Sequence, residues 1–208
     1  MKIYDFEQKS EEWFNVRLGK FTGSNFHIFF GNSKTKETEL YKKAAERITK
    51  TRSDSDNFSN VHIERGIELE SEARSMYELE TMSNVKEVGF IKLDEFCGCS
   101  PDGLVDADGM IEIKCKDNHT FLKQIIREEK AIEPIYRTQI QFNLYVSGRK
   151  WCDYVCYNPN FKQALYIKRI DRDEEYIQKI KDYLKICNFE INEIIRILNR
   201  GSNEILFL

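Results

Sequence analysis

A chain of 208 residues, 41% hydrophobic and 32% charged, has the apolar content for one packed core, too little length for two good ones, and no composition for wholesale disorder. Thirty-two Lys and Arg against 35 Asp and Glu leave a formal net charge of -3, which excludes a histone-like polycation while leaving room for local patches. No apolar run approaches the roughly 18–20 residues of a membrane span, the opening MKIYDFEQKSEEW carries no signal-peptide core, and six cysteines without a secretory signal read as reduced thiols of a cytoplasmic protein.

Ser10 is placed to cap a first helix on which Trp13 and Val16 pack. Thr22-Gly23-Ser24 offers caps for a second, short helix carrying Phe26, Phe29 and Phe30. A third runs from Thr38 to Ile48 with Leu40, Ala44 and Ile48 on one stripe. Residues 34–52 hold seven Lys or Arg against three Glu, a net of +4 that suits either a solvated helix face or phosphate contacts. The stretch TRSDSDNFSN, residues 51–60, is polar and reads as a mobile loop. A long helix from Val61 to Glu80 follows, and the period then changes from helical to alternating. Strands are expected at Val85 to Leu93, Cys99 to Asp106 and Met110 to Cys115, the last two joined by a hairpin at Asp108-Gly109. Pro134 opens a helix to Ser147, strands occupy 151–157 and 164–170, and a final helix runs from Asp173 to Asn199 with Gly201 as its stop. The expected fold class is α/β (α+β), a single domain over residues 1–208 with a central mixed sheet flanked by helices.

The densest chemistry lies in residues 100–115, SPDGLVDADGMIEIKC. Ile111, Ile113 and Cys115 alternate with Glu112 and Lys114, so the two-residue period of a strand sets carboxylate and ammonium side by side on one face. The hairpin folds Asp102 back beside them. Two carboxylates converging with a lysine suit a Mg²⁺ site for phosphodiester cleavage, because hard oxygen ligands hold the ion and leave positions for water and phosphate. One ion can generate hydroxide while a second stabilises the leaving oxygen, and Lys114 can orient the attacking water or take its proton. Taken alone, Glu112 and Lys114 are better explained, without chemistry, by a solvated cross-strand ion pair, and the preceding Pro101-Asp102-Gly103 turn is what strengthens the functional reading. An independent clue comes from the preceding helix, where Glu70 falls on the apolar stripe of Gly66, Leu69, Ala73, Met76 and Tyr77. A carboxylate there needs a cation or hydrogen bonds, so it is either a structural salt bridge or a third acid aimed at metal.

In order along the chain, Trp13, Arg17-Leu18-Gly19 and Thr22-Gly23-Ser24 precede Arg65-Gly66, Glu70 and Ala73-Arg74. Ser100-Pro101-Asp102-Gly103-Leu104, Glu112-Ile113-Lys114-Cys115, Tyr136, Gln139 and Gln141 come next, and an aromatic strand ends in Tyr157-Asn158-Pro159. This ordered set over residues 13–159 resembles the lambda-type exonucleases, the YqaJ-like viral recombinase branch of the PD-(D/E)XK nucleases. The resemblance implies a restriction-endonuclease-like core and a 5′→3′ exonuclease that degrades linear double-stranded DNA, releases 5′-mononucleotides and leaves a 3′ single-stranded overhang for recombination. It also implies a ring-shaped homotrimer and a single-strand annealing protein as partner, in the cytoplasm of a phage-infected or prophage-bearing bacterium. Carried over by position, Asp102, Glu112 and the Ile113 backbone carbonyl bind two Mg²⁺ ions, for which Mn²⁺ can substitute, and Glu70 supports the second ion through water. Lys114 serves the nucleophile and Gln139 holds water or metal ligands. Arg17, Ser24 and Ser100, with Thr22 as a lesser member, match the family's pocket for a 5′-phosphate, and an arginine fork beside hydroxyls is a sound anion receptor on physical grounds as well. Without the family context, Arg17 could cap a helix or pair with Glu11 or Glu12, and Thr22 could be an N-cap only.

Segment 31–60 matches nothing in that pattern. Cys97-x-Cys99 and Cys152-x3-Cys156 raise an iron–sulfur cluster, but there is no C-x2-C pair and four cysteines fall in predicted strands or hairpins, so buried thiols are the better reading. His27, His62 and His119 have no zinc spacing. A site- or structure-specific endonuclease on the same fold would use the same acids and lysine; the arginine–hydroxyl pocket favours end-dependent cutting instead. A catalytically inactive DNA-end-binding module is the remaining rival, and the intact Asp102, Glu112, Lys114 and Glu70 speak against it.

Overall fold

The computed structural model describes residues 1–31, 33–52 and 61–204, so the expected loop at 51–60 lies outside the described residues apart from Thr51 and Arg52. In chain order come β1 (Lys2–Tyr4), α1 (Glu11–Arg17), a 3₁₀ helix (Gly23–Phe30), α2 (Lys34–Thr49) and α3 (Val61–Thr81). The strands β2 (Val85–Lys86), β3 (Phe90–Lys92), β4 (Gly98–Cys99), β5 (Gly103–Val105) and β6 (Gly109–Cys115) follow. Then α4 (Asn118–Arg127), a short 3₁₀ turn (Glu128–Ala131) and α5 (Pro134–Ser147) lead to β7 (Trp151–Tyr157), β8 (Leu165–Asp171) and α6 (Glu174–Glu204).

Five strands make a mixed sheet in the order β2-β5-β6-β7-β8, antiparallel except for the parallel pair β6–β7. A parallel pair needs a crossover, and α4 with α5 supplies it. On one face, Ile111 and Ile113 of β6 and Val155 and Tyr157 of β7 pack against Ala73 and Tyr77 of α3. On the other, Met110, Cys152, Tyr154 and Cys156 meet Phe142 and Leu144 of α5 and Ile180 and Leu184 of α6. Burial of each large apolar side chain is worth about 1.5–3 kcal/mol, and packing on both faces holds β6 in place. The α/β class with a helix-flanked mixed sheet is thus as the sequence predicts. All six cysteines are free thiols, five of them buried.

Two predicted strands are each broken. The stretch from Val85 to Leu93 divides into β2 and β3, which belong to different sheets. The divide falls at Gly89, where the N-terminal segment crosses so closely that a Cβ would stand 2.1 Å from the Phe6 carbonyl oxygen. Gly89 N–H donates to the Tyr4 carbonyl (2.9 Å), and β1-β3-β4 form a small antiparallel sheet that the alternation does not reveal. The stretch from Cys99 to Asp106 divides at Ser100-Pro101-Asp102, where Pro101 has no N–H for a ladder. Helix α2 begins at Lys34 rather than Thr38, because Ser33 Oγ accepts the Lys36 amide (3.1 Å). Its charge is partly internal: Lys36 pairs with Glu190 of α6 (3.0 Å), and Lys43 and Arg47 donate to backbone carbonyls. Sequence reading passes over α4, although Asp117 caps it by accepting the Thr120 amide (2.9 Å). Helix α6 runs through Gly201 to Glu204 instead of stopping before it.

Candidate active site

Glu112 and Lys114 stand two residues apart on β6 and both turn toward α5. The Glu112 carboxylate, 1% exposed, receives Lys114 Nζ at 2.5 Å, Gln139 Nε2 at 2.6 Å and Asn143 Nδ2 at 3.3 Å. Gln139 and Asn143 are four apart, so one face of α5 presents both amides. Asn143 is a site residue that sequence reading misses, and its spacing from Gln139 is the one available signal.

Asp102 occupies the break after β4, where its Oδ2 accepts the Ile113 amide at 2.6 Å. The N–H and C=O of one residue in an extended strand share an edge, so the Ile113 carbonyl faces the same side as Asp102. Glu70 of α3 accepts Arg74 Nη2 (3.0 Å), while Arg74 also pairs with Glu87 (2.9 Å) and donates from Nε to the Asp102 carbonyl (3.3 Å). Glu70 is therefore in a salt bridge, and that salt bridge ties it to the Asp102 segment.

Burial, with the Asp102 charge adding, pushes Glu70 up to about 7 against the pull of Arg74. Burial likewise raises Glu112 to about 7, with Lys114 opposing and Asp102 adding. Asp102 is raised above its ordinary value by its own burial, against Lys114 and the Ile113 amide. Burial disfavours the Lys114 cation, but Glu112 and Asp102 outweigh it and hold the ammonium protonated beyond its ordinary range. Three acids resist ionisation even with Lys114 and Arg74 in place, so the cluster is short of positive charge. Asp153 of β7 belongs to a separate, structural set, in which both arms of Arg169 (2.9 Å each) and the Tyr77 hydroxyl (2.7 Å) donate to its carboxylate.

Across Pro101 lies an arginine with no acid. Ser10 Oγ accepts the Trp13 amide (3.2 Å) and starts α1, which sets Trp13 and Arg17 one turn apart. Trp13 Nε1 donates to Ser100 Oγ (2.8 Å), and Arg17 donates to Ser100 Oγ (3.2 Å) and Thr22 Oγ1 (3.4 Å). The guanidinium lies 3.9 Å from the Trp13 ring centroid, and the Thr22 and Ser24 hydroxyls are 3.5 Å apart. No carboxylate pairs with Arg17 among the described residues, Glu11 and Glu12 included; burial lowers it to about 10. Thr22 is the N-cap of the 3₁₀ helix by position but makes no capping bond, so its hydroxyl belongs with Arg17. Trp13 is the member of this cluster whose polar role the sequence hides. Gln141 lies elsewhere, bridging the Asp171 carbonyl and the Asp173 amide (2.8 and 2.9 Å) where β8 meets α6. His119 is exposed beside Asp117 on α4.

The sequence profile of the YqaJ-like viral recombinase domain matches residues 12–150. The chain belongs to this family. Among solved structures, an alkaline exonuclease (LHK-Exo) from Laribacter hongkongensis matches with a TM-score of 0.86 at 32% identity, over 94% of this chain and 100% of that one. LHK-Exo in complex with dAMP matches equally, with a TM-score of 0.86 and 33% identity over the same shares. A phage-related exonuclease from Haemophilus somnus 129PT shares the fold, with a TM-score of 0.66 at 18% identity over 86% of this chain and 96% of that one. No curated protein matches.

For a YqaJ-like chain the donor set can be tested against a divalent cation. Asp102, Glu112 and the Ile113 carbonyl are all oxygen donors, the type that Mg²⁺ takes, and the cluster is short of positive charge even with Lys114 and Arg74 in place. Among the described residues no three Asp, Glu, His or Cys side chains form a ready-made cage. That suits Mg²⁺, which keeps several waters and binds through one or two carboxylates. The residues fit.

Proposed function

We propose that this chain is a Mg²⁺-dependent 5′→3′ exonuclease that acts on linear double-stranded DNA, releases 5′-mononucleotides and leaves a 3′ overhang for homologous recombination. The observation that carries the reading is the segment Ser100-Pro101-Asp102, which joins two sites: Ser100 lies in the Arg17 cluster and Asp102 in the acid cluster. A receptor for an end is thereby coupled to a place for cleavage. An anion among Arg17, Thr22, Ser24 and Ser100 meets charge-assisted donors and, among the described residues, no carboxylate paired with Arg17. The 5′-phosphate of a DNA end is the anion one nucleotide away from the bond to be cut. The dAMP of the LHK-Exo complex is a mononucleotide, the class of product this cut releases.

Asp102, Glu112 and the Ile113 carbonyl would hold Mg²⁺, with Glu70 supporting a second ion through water and Mn²⁺ able to substitute. Bound there, such ions supply Lewis-acid activation of water and of the leaving 3′-oxygen. The protein's own part is positioning. Lys114, kept protonated by Glu112 and Asp102, donates to the attacking water and orients it rather than taking its proton. Gln139 and Asn143 fix the Glu112 carboxylate, and Arg74 fixes Glu70 against the Asp102 segment. Arg17 and the hydroxyls bind the terminal phosphate and so confine attack to the first phosphodiester. The family resemblance extends the proposal to a homotrimer, an annealing protein as partner, and the cytoplasm of a phage-infected or prophage-bearing bacterium. No helix among the described residues is long and apolar enough to cross a membrane.

The test compares nucleotide release from linear duplex with 5′-phosphate or 5′-hydroxyl ends and from a closed circle, in Mg²⁺ and in EDTA. Mononucleotides from phosphorylated linear DNA, an intact circle and silence in EDTA are expected. Discrete fragments or a cut circle would replace the reading with an endonuclease.

A further inference from the structure

Arg17 is the last residue of α1, a helix of seven residues that are exposed or at most half-buried, so the helix's own packing anchors it only weakly. What holds its end is the turn Leu18-Gly19-Lys20, whose Lys20 amide closes on the Arg17 carbonyl (3.0 Å). Three side chains of α2 grip this turn. Gly19 N–H donates to Glu46 Oε2 (2.8 Å), Arg47 Nε donates to the Gly19 carbonyl (2.9 Å), and Lys43 Nζ donates to the Lys20 carbonyl (2.7 Å). Lys43, Glu46 and Arg47 fall at i, i+3 and i+4, on one face of the helix. Gly19 sits at φ +65°, and a Cβ there would lie 2.5 Å from Arg47 Cγ, so the grip is closed to other residues.

The grip has its own anchor. Arg47 Nη1 donates to Asn188 Oδ1 of α6 (2.7 Å), and its guanidinium lies 5.1 Å from the Phe96 ring centroid and 5.9 Å from that of Phe21. Phe21 is fully buried and leads directly into Thr22. Arg17 before the turn and Thr22 after it therefore flank a segment held by the same three side chains, none of which bonds to a side chain of the Arg17 cluster.

We infer that Lys43, Glu46 and Arg47 are positioning residues that set the preference for a 5′-phosphate by fixing Arg17 and Thr22 through the turn between them. The inference rests on the reading of the Arg17 cluster as the 5′-phosphate receptor. Selectivity for phosphate over hydroxyl depends on where the guanidinium stands, and a misplacement of about 1 Å can cost about 100-fold.

The deciding quantity is the ratio of kcat/KM on 5′-phosphorylated to 5′-hydroxyl linear duplex, for the full chain in Mg²⁺. It is measured for Arg17→Ala, Lys43→Met, Glu46→Ala and Glu46→Gln, with thermal unfolding as the check on folding. Lys43→Met and Glu46→Ala are expected to lower the ratio by about fivefold or more, mainly through KM on phosphorylated DNA, while hydroxyl-ended DNA is cut at the parental rate. Glu46→Gln keeps an acceptor for Gly19 N–H and is expected to retain the ratio. Should Glu46→Ala fail to fold, Lys43→Met carries the test. An unchanged ratio in the α2 variants while Arg17→Ala abolishes it overturns this inference and leaves the receptor standing. Equal losses on both kinds of end also overturn it, reducing the grip to a fold contact. A ratio unchanged in Arg17→Ala overturns the receptor itself.

Discussion

Glu112 is held by an ammonium and two amides, and each can be removed separately. Lys114→Ala leaves the carboxylate its amides but removes the donor proposed for the attacking water, and Glu112→Gln removes the charge while keeping the shape. Both are expected to lose about 2.7–4 kcal/mol of transition-state stabilisation or more, a fall of about 100–1000-fold, while duplex DNA is still bound. Single-turnover cleavage beside a binding assay in EDTA separates the two effects; loss of binding in step with cleavage would assign these residues to the fold. Arg74 acts one layer further out, since its fork joins Glu70, Glu87 and the Asp102 carbonyl. Arg74→Ala is expected to weaken divalent-metal affinity by about 10–100-fold, read by calorimetry with Mn²⁺ and by the Mg²⁺ dependence of cleavage. Arg74→Lys should not rescue it, because a point charge cannot replace the fork. Unchanged metal affinity would leave Glu70 as a salt-bridge partner alone.

Between elements, a tight constraint on the site is a glycine. A Cβ at Gly23 would lie 2.3 Å from Asn143 Oδ1 and 3.0 Å from the Gln139 carbonyl, so the 3₁₀ helix lies flush on the part of α5 that holds Glu112. Gly23→Ala is expected to cost about 1–3 kcal/mol in denaturant unfolding and to lower kcat as well. A destabilised variant with full kcat would show that this contact does not govern Glu112. Such contacts also mark where the sequence stops being legible. Glu112 and Lys114 are readable because a strand's period is two whatever surrounds it, and the buried partners of Glu70, Ala73 and Tyr77, are readable from the helical period. The break at Gly89 is set by the N-terminal segment pairing across a long stretch of chain, Lys2 opposite Lys92, and local alternation carries no trace of that, whereas the break at Pro101 is written locally in a residue without an N–H. Asn143 gains its role only once α5 is docked. Helix α4 is different: the Asp117 cap and the buried Phe121 leave a local signature that a reading centred on Pro134 passes over.

At the scale of the whole molecule, this site carries the acids whose raised values make stability answer to pH between about 4.5 and 7. Glu112 and Glu70 have an ordinary value of 4.5 and stand at about 7 in the fold. Between those values the folded chain holds more protons than the unfolded one, so stability falls as pH rises through that window and the loss is complete above it. Asp102, raised by burial, acts in the same direction. Lys114 acts elsewhere: its folded value is raised above 10.5, so its contribution stays intact through this window and is lost only in strong alkali. Under the proposed function, a divalent cation would bind the ionised acids of the folded chain and find no such site in the unfolded one, a linkage worth about 2.7 kcal/mol at about 100 times Kd. In EDTA the protein is therefore expected to melt lower at pH 8 than at pH 5. Mg²⁺ should raise the pH 8 melt while leaving the pH 5 melt nearly unmoved, because protons already occupy the acids there. Glu112→Gln, which cannot titrate, should flatten the pH dependence and blunt the Mg²⁺ response together. A pH 8 melt indifferent to Mg²⁺ would mean that the acids find their compensation inside the protein, and the metal-dependent mechanism would have to be abandoned.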